Sequence, residues 1–174
     1  IRRRESGLIK YAISTSDLIS DMQEQVLNIG REKHITTGYP RNDSLLNIPQ
    51  YNRDQWEKFL EGNKPDKVIL YAPTWRNGRV APKFFPFKDF IKKELSEFLS
   101  SANALLLLRP HLADLHVYPE LHGFLSELAT DHNVRLATHT EFPDTNTLLP
   151  FVDLVISDYS SIYHDFLLLD RPMV

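Results

Sequence analysis

Apolar residues in the last two thirds of the chain follow two alternating patterns. Short runs such as VILYA (68–72) and ALLLL (104–108) are continuously apolar, which is typical of parallel strands buried on both faces. The segments between such runs carry apolar residues at the spacing of an amphipathic helix. Strands are therefore predicted at 68–75, 104–111, 133–138 and 153–158, helices at 86–102, 119–132, 147–152 and 161–169, and the start of a further strand at 171–174.

This alternation predicts an α/β fold whose doubly wound, Rossmann-like parallel sheet is covered by helices on both faces. Right-handed crossover connections bring the carboxyl end of every strand to one edge of such a sheet. Ligands of these folds bind outside that edge. The residues that directly follow the strands are therefore the first candidates for a functional site.

The first third of the chain has a different pattern. A strand is predicted at 8–15, followed by a helix at 16–30 that Gly30 ends. A second strand then runs into a turn-rich segment, and a short helix follows at 53–62. The sequence NKPDK at 63–67 interrupts regular structure. We place the boundary between two domains at this break.

Composition narrows the class of protein without naming a function. The chain has 174 residues, 42% of them hydrophobic and 25% charged, which is ordinary for a globular protein. Its net charge of −3 gives no support for nucleic-acid binding, which usually needs a basic surface. The absence of cysteine excludes disulfides and thiolate metal sites. No apolar run reaches the roughly 18 residues of a membrane span, and the first residues lack the apolar core of a signal peptide.

Polar motifs follow four of the predicted strands. They are APTWR (72–76), RPH (109–111), ATHT (137–140) and SDYSS (157–161). Because parallel strands end at one edge of the sheet, we expect the side chains of these motifs to lie along that edge. The candidate site residues are Thr74, Arg76, Arg109, His111, Asp158, Ser160 and Ser161.

The SDYSS motif precedes a predicted helix and has the features of a phosphate site. A helix N-terminus offers unpaired backbone N–H groups and a partial positive charge, here with hydroxyls beside them. Arg76 and His111 can add hydrogen-bond donors to the same anion. A simpler interpretation stays open, because a Ser or Asp at a helix start is most often only an N-cap. Four polar strand ends in one sheet favour a ligand that bears phosphate.

Other common sites are absent from the sequence. It contains no G-x-x-x-x-G-K-[ST] loop, no G-x-G-x-x-G fingerprint and no G-x-S-x-G elbow. His116 and His122 are six residues apart, a poor spacing for one helical face, and His132 and His139 have no paired ligands. We expect all four histidines at the surface and predict neither a metal nor a cofactor.

Four motifs together carry a resemblance to a known family. GYPRND (38–43), YAPTWR (71–76), RPH (109–111) and DLVISDYSSIYHDFLLLDRP (153–172) occur in the order and spacing of the CDP-glycerol glycerophosphotransferases. These are the teichoic-acid primases and polymerases of Gram-positive bacteria. The resemblance covers nearly the whole chain.

The resemblance implies a GT-B-type fold, in which two Rossmann-like domains face each other across a cleft. Residues 64–174 resemble an incomplete C-terminal domain that binds the nucleotide donor. Residues 1–50 resemble the end of the N-terminal domain and its crossing segment, with a linker helix at 51–63. The family's proposed base is a histidine in a His-Gly motif. No His-Gly dipeptide occurs here, so we expect the base outside this chain and no transferase activity from the chain alone.

The resemblance also implies roles for individual residues. His111 matches a histidine that acts at the donor pyrophosphate and stabilises the leaving group. Asp158, Ser160 and Ser161 match a loop beside the donor phosphates or ribose, and Arg76 matches the arginine of a PTxR turn. The remaining expected donor-site residues are Thr74 and Arg109. One departure is His164, where the family commonly has an aromatic residue.

The implied reaction moves glycerol phosphate from CDP-glycerol to a lipid-linked poly(glycerol phosphate) acceptor and releases CMP. The implied location is the cytoplasmic face of the bacterial membrane, which the protein would contact through parts outside this chain. A related CDP-alditol such as CDP-ribitol, or a capsule polymer, fits the same motifs. A nucleotide-sugar glycosyltransferase or 2-epimerase of GT-B fold is a second class, although the last strand–helix unit lacks an E-x₇-E pair. A non-catalytic nucleotide-binding module is a third.

Overall fold

The computed structural model describes residues 8–75, 89–158 and 160–174. The chain forms two compact units, the first ending at Ser44 and the second comprising Leu45–Val174. In the parts described, no helix combines the length and apolar character needed to cross a membrane.

The first unit is a β-α-β arrangement. Strands β1 (Ala12–Ser14) and β2 (His34–Thr36) pair in parallel, and helix α1 (Asp17–Leu27) connects them. The Ser16 side chain caps α1 by accepting the N–H of Ile19. The helix ends at Asn28 and not at the predicted Gly30, because Asn28 adopts the left-handed conformation that asparagine tolerates.

Short elements surround β2 and lead to the second unit. They are a 3₁₀ turn at Arg31–Lys33, a second at Pro40–Asn42, and helix α2 (Asp43–Leu46), which spans the boundary between the units.

The second unit contains a four-stranded sheet in which every described pairing is parallel. Its strands are β3 (Lys67–Tyr71), β4 (Ala104–Leu108), β5 (Val134–Leu136) and β6 (Leu154–Ile156), in the spatial order β5-β4-β3-β6. A parallel bridge from Val155 to Met173 starts a further strand beside β6. The predicted parallel sheet is confirmed, and near 171–174, where a further strand was expected, the structure has this single bridge.

Helices cover both faces of this sheet. They are α3 (Gln50–Leu60), α4 (Asp89–Ser101), α5 (Leu112–Val117), α6 (Pro119–Leu128) and α7 (Ile162–Phe166), with 3₁₀ turns at Thr145–Thr147, Leu149–Phe151 and Leu167–Leu169. In β4, Leu105 and Leu107 pack in one buried cluster while Leu106 and Leu108 pack in the other. This alternation shows why the run is continuously apolar, since each face of the strand meets a separate hydrophobic layer.

Several helix predictions need correction. The predicted helix at 147–152 consists of two 3₁₀ turns, and α5 was not predicted at all. Helix α5 is short and begins directly after the RPH motif, so it falls below the length at which apolar periodicity is informative.

Helix α3 packs within the second unit and is more than a connection. Trp56 is buried in the same cluster as Val68 and Leu107, and its ring stacks on Phe151 at a centroid distance of 5.1 Å. The second compact unit, which begins at Leu45, therefore includes this helix. The assignment of the two units to the domains of a larger enzyme stays a prediction.

Candidate functional site

The strand order places a crevice between β3 and β6. From β3 the chain moves outward through β4 to β5, and then returns to the other side of β3 to form β6. The direction of winding therefore reverses between β3 and β6. Such a reversal opens a crevice at the carboxyl ends of the strands, where ligands of doubly wound sheets bind.

Hydrogen bonds join the two loops that border this crevice. The Thr74 backbone N–H donates to Asp158 Oδ1 at 2.7 Å, and the Ser157 hydroxyl donates to the Ala72 carbonyl at 2.5 Å. The Asp158 carboxylate thus holds the APTW segment after β3 against the loop after β6. Two motifs that are 84 residues apart in the chain meet here as predicted.

Ser160 and Ser161 lie at the start of α7. Ser160 Oγ accepts the N–H of Ile162 at 3.4 Å, near the limit of a hydrogen bond. Ser161 is exposed, and its side chain makes no capping bond. The Ser160 side chain is therefore only a weak cap of α7, and the Ser161 side chain does not cap it. Tyr159 lies outside the described residues.

His111 lies on the same edge and is exposed. It is the N-cap of α5, where its Nδ1 accepts the N–H of Ala113 at 3.1 Å. Its ring stacks on the indole of Trp75, with centroids 5.9 Å apart and planes 13° from parallel. Because Trp75 directly follows Thr74, which binds Asp158, these contacts connect the ends of β4, β3 and β6.

Arg109 does not lie at this edge in the way we expected. Its side chain is 5% exposed, and its guanidinium donates to the carbonyls of Ala137 and Phe142, each at 2.8 Å. It also donates to Thr145 Oγ1 at 3.1 Å. Arg109, which we expected to contact the nucleotide donor, is therefore a buried residue that holds the loop at 137–145.

The reason for this burial is the alternation of strand residues. Arg109 follows Leu105 and Leu107 on one face of β4, and its backbone N–H still donates to the Tyr71 carbonyl. Burial lowers the pKa of Arg109 to about 10, and the nearby carboxylates of Asp144 and Glu141 oppose that shift. The guanidinium remains charged at neutral pH.

His139 is a neighbour of the site that the sequence did not indicate. Its Nδ1 lies 3.4 Å from the Arg109 guanidinium. Burial is the main cause that lowers the pKa of His139, and the charges of Arg109 and His111 lower it further, while a backbone hydrogen bond at Pro143 opposes them. The four histidines expected at the surface thus include one that is packed beside the buried arginine.

Thr74 and Arg76 are the remaining predicted site residues. Thr74 Oγ1 is buried without a hydrogen-bond partner among the described residues. A buried hydroxyl of this kind is costly. Arg76 lies outside the described residues.

A groove of about 760 Å³ lies elsewhere, along the outer edge of β5 between α3 and the end of α6. Lys58, Glu61, Asp131, Arg135 and Glu141 contribute charges of both signs to its lining. None of the candidate site residues that the structure describes lines this groove. Among the described residues, no group of three or more His, Asp or Glu side chains is arranged to hold a metal ion.

Comparison with known proteins identifies the family. The profile of the family described as CDP-Glycerol:Poly(glycerophosphate) glycerophosphotransferase matches residues 2–174. The chain belongs to this family. The match confirms the resemblance carried by the four motifs.

Relatives of this glycerophosphotransferase-family chain act in teichoic-acid synthesis according to their names. The teichoic acid glycerol-phosphate transferase of Staphylococcus aureus is 27% identical over 99% of the chain and 42% of its own length. The teichoic acid ribitol-phosphate polymerase TarL of the same organism is 27% identical over 94% of the chain and 28% of its own length. The chain thus spans less than half of either relative.

Solved structures confirm the fold. The wall teichoic acid polymerase TagF superposes with a TM-score of 0.70 at 27% identity, over 98% of this chain and 40% of that one. A UDP-GlcNAc 2-epimerase from Neisseria meningitidis gives a TM-score of 0.59 at 22% identity, over 99% of this chain and 46% of that one. The epimerase shows the fold alone. The predicted GT-B-type, Rossmann-like fold is confirmed.

Proposed function

We propose that the crevice between β3 and β6 binds the nucleotide and phosphates of CDP-glycerol, and that the whole protein transfers glycerol phosphate to a teichoic-acid acceptor with release of CMP. The observation that carries this proposal is the meeting of the APTW, RPH and SDYSS motifs at one crevice, through the Thr74–Asp158 hydrogen bond and the Trp75–His111 stack. Family membership and relatives named for glycerol-phosphate transfer support it.

The geometry suggests how the described residues act. The exposed His111 and Ser161 and the half-exposed Ser160 offer hydrogen-bond donors to donor phosphates at the edge of the sheet. Thr74 Oγ1, a buried hydroxyl without a described partner, is a further candidate contact for a ligand oxygen. Asp158 already accepts the Thr74 N–H, so its role begins with holding the two loops together. Arg109 acts indirectly by shaping the loop at 137–145.

In this mechanism the terminal hydroxyl of the acceptor attacks the β-phosphorus of the donor. The bond from that phosphorus to the oxygen shared with the CMP phosphate breaks, and CMP leaves with the electron pair. Phosphoryl transfer needs positioning and stabilisation of developing charge more than covalent catalysis. Hydrogen-bond donors at the crevice stabilise the negative charge that develops on the leaving phosphate. The base that takes the proton of the acceptor belongs, by the family resemblance, to a His-Gly motif outside this chain.

The alditol of the nucleotide donor has one specific alternative to glycerol. A ribitol-phosphate polymerase matches the chain as well as a glycerol-phosphate transferase does, at 27% identity in both cases. CDP-ribitol is therefore the second candidate donor. The lipid-linked acceptor and a position at the cytoplasmic face of the membrane are further proposals, which follow from the family resemblance.

Ligand-induced stabilisation and turnover together test this function. We expect CMP, CDP-glycerol or CDP-ribitol to raise the melting temperature of the chain, because a ligand that binds only the folded state stabilises it. UDP-GlcNAc serves as the control for an epimerase-type site. The whole protein should release CMP from one of the two CDP-alditols in the presence of a teichoic-acid acceptor. Stabilisation by UDP-GlcNAc but by no cytidine nucleotide would contradict the proposal.

A further inference from the structure

The imidazole of His111 is held at two places by the folded chain. Its Nδ1 accepts the Ala113 N–H at 3.1 Å, and one face of the ring lies nearly parallel to the indole of Trp75. The first contact fixes an edge of the ring and the second fixes its plane. An exposed side chain that is fixed in this way loses much of the rotational freedom it would otherwise have.

These contacts determine which nitrogen of His111 can donate. A ring nitrogen that accepts a hydrogen bond carries no proton, so the proton of the neutral ring is on Nε2. The capping bond thus makes Nε2–H the donor of the ring, and the Trp75 stack keeps the ring in the plane that allows the capping bond. A ring that rotated away from Ala113 would lose this distinction between the two nitrogens.

From this geometry we infer that Trp75 is a positioning residue for His111. It holds the imidazole as the Nε2–H tautomer, and this N–H donates a hydrogen bond to a phosphate of the CDP-alditol. The expected effect on turnover rests on the proposed function. The statement that Trp75 fixes the tautomer of the His111 ring does not. Trp75 belongs to the APTWR motif, yet neither the motif nor the family match assigns a task to its indole.

A competing role for Trp75 is direct stacking on the nucleotide base, which would use the face of the indole that His111 does not cover. The face of the indole that meets His111 is occupied by the imidazole, and the residue as a whole is 38% exposed. Offset aromatic pairs at a centroid distance between 4.5 and 7 Å are favourable. The 5.9 Å separation lies in that range, so the pair can form before any ligand binds.

The first experiment is a double-mutant cycle in the whole protein, with CMP release from CDP-glycerol and from CDP-ribitol as the readout. We expect Trp75→Leu to lower kcat about three- to tenfold, the range that one aromatic pair supports, with little change in KM. Trp75→Phe should restore most of the loss, because it keeps a ring against His111. In a His111→Ala background, Trp75→Leu should have almost no further effect, since residues that act through one another are not additive.

The matched control is Phe124→Leu. Phe124 is an aromatic residue on α6 with 39% exposure, close to that of Trp75. This variant removes a similar exposed ring outside the candidate site and should leave kcat and KM unchanged.

The second experiment reads the His111 ring without any substrate. In protein labelled with ¹⁵N-histidine, two-bond ¹H–¹⁵N correlations distinguish the tautomers, and the His111 signals are assigned by their loss in His111→Gln. We expect the Nε2–H pattern in the unmodified protein and in Trp75→Phe, and an averaged pattern in Trp75→Leu. Phe124→Leu should show the unmodified pattern.

The outcomes separate the inference from the proposed function. Failure of the unmodified protein to release CMP from either CDP-alditol would overturn the proposed function, while the NMR pattern would still decide the statement about the ring. An unchanged Nε2–H pattern in Trp75→Leu would overturn the inference. Additive losses in the cycle, or a loss confined to KM, would also overturn it and would assign Trp75 to direct contact with the donor.

Discussion

Two loops at the carboxyl edge of the sheet are held in place in different ways. The loop at 137–145 is tied from beneath by the buried guanidinium of Arg109, which donates to the Ala137 and Phe142 carbonyls. The loop at 157–161 is held from the side by two of its own side chains, since Asp158 accepts the Thr74 N–H and the Ser157 hydroxyl donates to the Ala72 carbonyl. The charge of Arg109 thus serves the structure of the first loop, whereas the second loop leaves the hydroxyls of Ser160 and Ser161 at the edge. Polarity at a strand end therefore does not by itself mark a ligand contact.

The largest expected effect is on the stability of the loop at 137–145. Arg109→Met leaves two buried carbonyl partners unsatisfied, and an unsatisfied buried acceptor costs roughly 1–3 kcal/mol. We expect the free energy of unfolding to fall by about 4 kcal/mol, measured by urea denaturation. Arg109→Lys should show a smaller loss because it keeps the charge with fewer donors. Exposed Arg53→Met is the control. A loss of less than about 1 kcal/mol would show that Arg109 does not hold the loop.

The next largest expected effect is a loss of turnover on removal of His111, an exposed residue that follows a strand. His111→Ala in the whole protein should lower kcat/KM about 10²- to 10³-fold, as the loss of a donor to a transition-state oxyanion does. The lost helix cap should cost only about 1 kcal/mol of stability. Melting temperature and CMP release are measured on the same sample. His116→Ala, which removes an exposed histidine from the same helix, is the control. Near-normal turnover with a large drop in melting temperature would make His111 a structural cap.

Ser160→Ala tests whether a hydroxyl in the loop at 157–161 serves the helix or the ligand. Its capping bond is long, at 3.4 Å, so we expect a stability loss below about 0.5 kcal/mol, under the usual cost of a lost cap. The loss in kcat/KM should be far larger, on the order of 10²-fold. Ser126→Ala on the surface of α6 controls for removal of an exposed hydroxyl. Equal losses in stability and in activation free energy would contradict a donor-site role.

The smallest expected effect is a pH dependence at His139. Its pKa is lowered in the folded chain, first by burial and then by the charge of Arg109. Between that lowered pKa and the ordinary value of 6.5, the unfolded chain binds more protons than the folded one. Stability should therefore fall as pH drops below 6.5, and the slope should flatten in His139→Gln. Urea denaturation at several pH values measures it. A slope unchanged by His139→Gln would exclude His139 as the source.

Much of the fold and part of the site were predictable from local pattern. The alternation of short strand-like runs with helix-spaced segments predicted the four parallel strands, and the run of β4 is continuously apolar because that strand is covered on both faces. The residues after those strands predicted that the APTW and SDYSS motifs would meet, because parallel strands share an edge. The ends of helices were less predictable. Asn28 ended α1 before Gly30 because either residue can adopt the left-handed conformation.

The residue pattern alone is enough to predict the family, the α/β class and the edge of the sheet at which the motifs gather. Which polar groups remain available at that edge depends on the tertiary structure. Arg109 and His111 stand two residues apart in one motif, yet one points to the buried face of β4 and the other caps a helix in solvent. The alternation Leu105–Leu107–Arg109 was a signal for that burial. The partners that satisfy the guanidinium come from a loop about thirty residues later, and the ring that stacks on His111 comes from the end of β3. Such pairings depend on strand order, and no local pattern encodes the strand order.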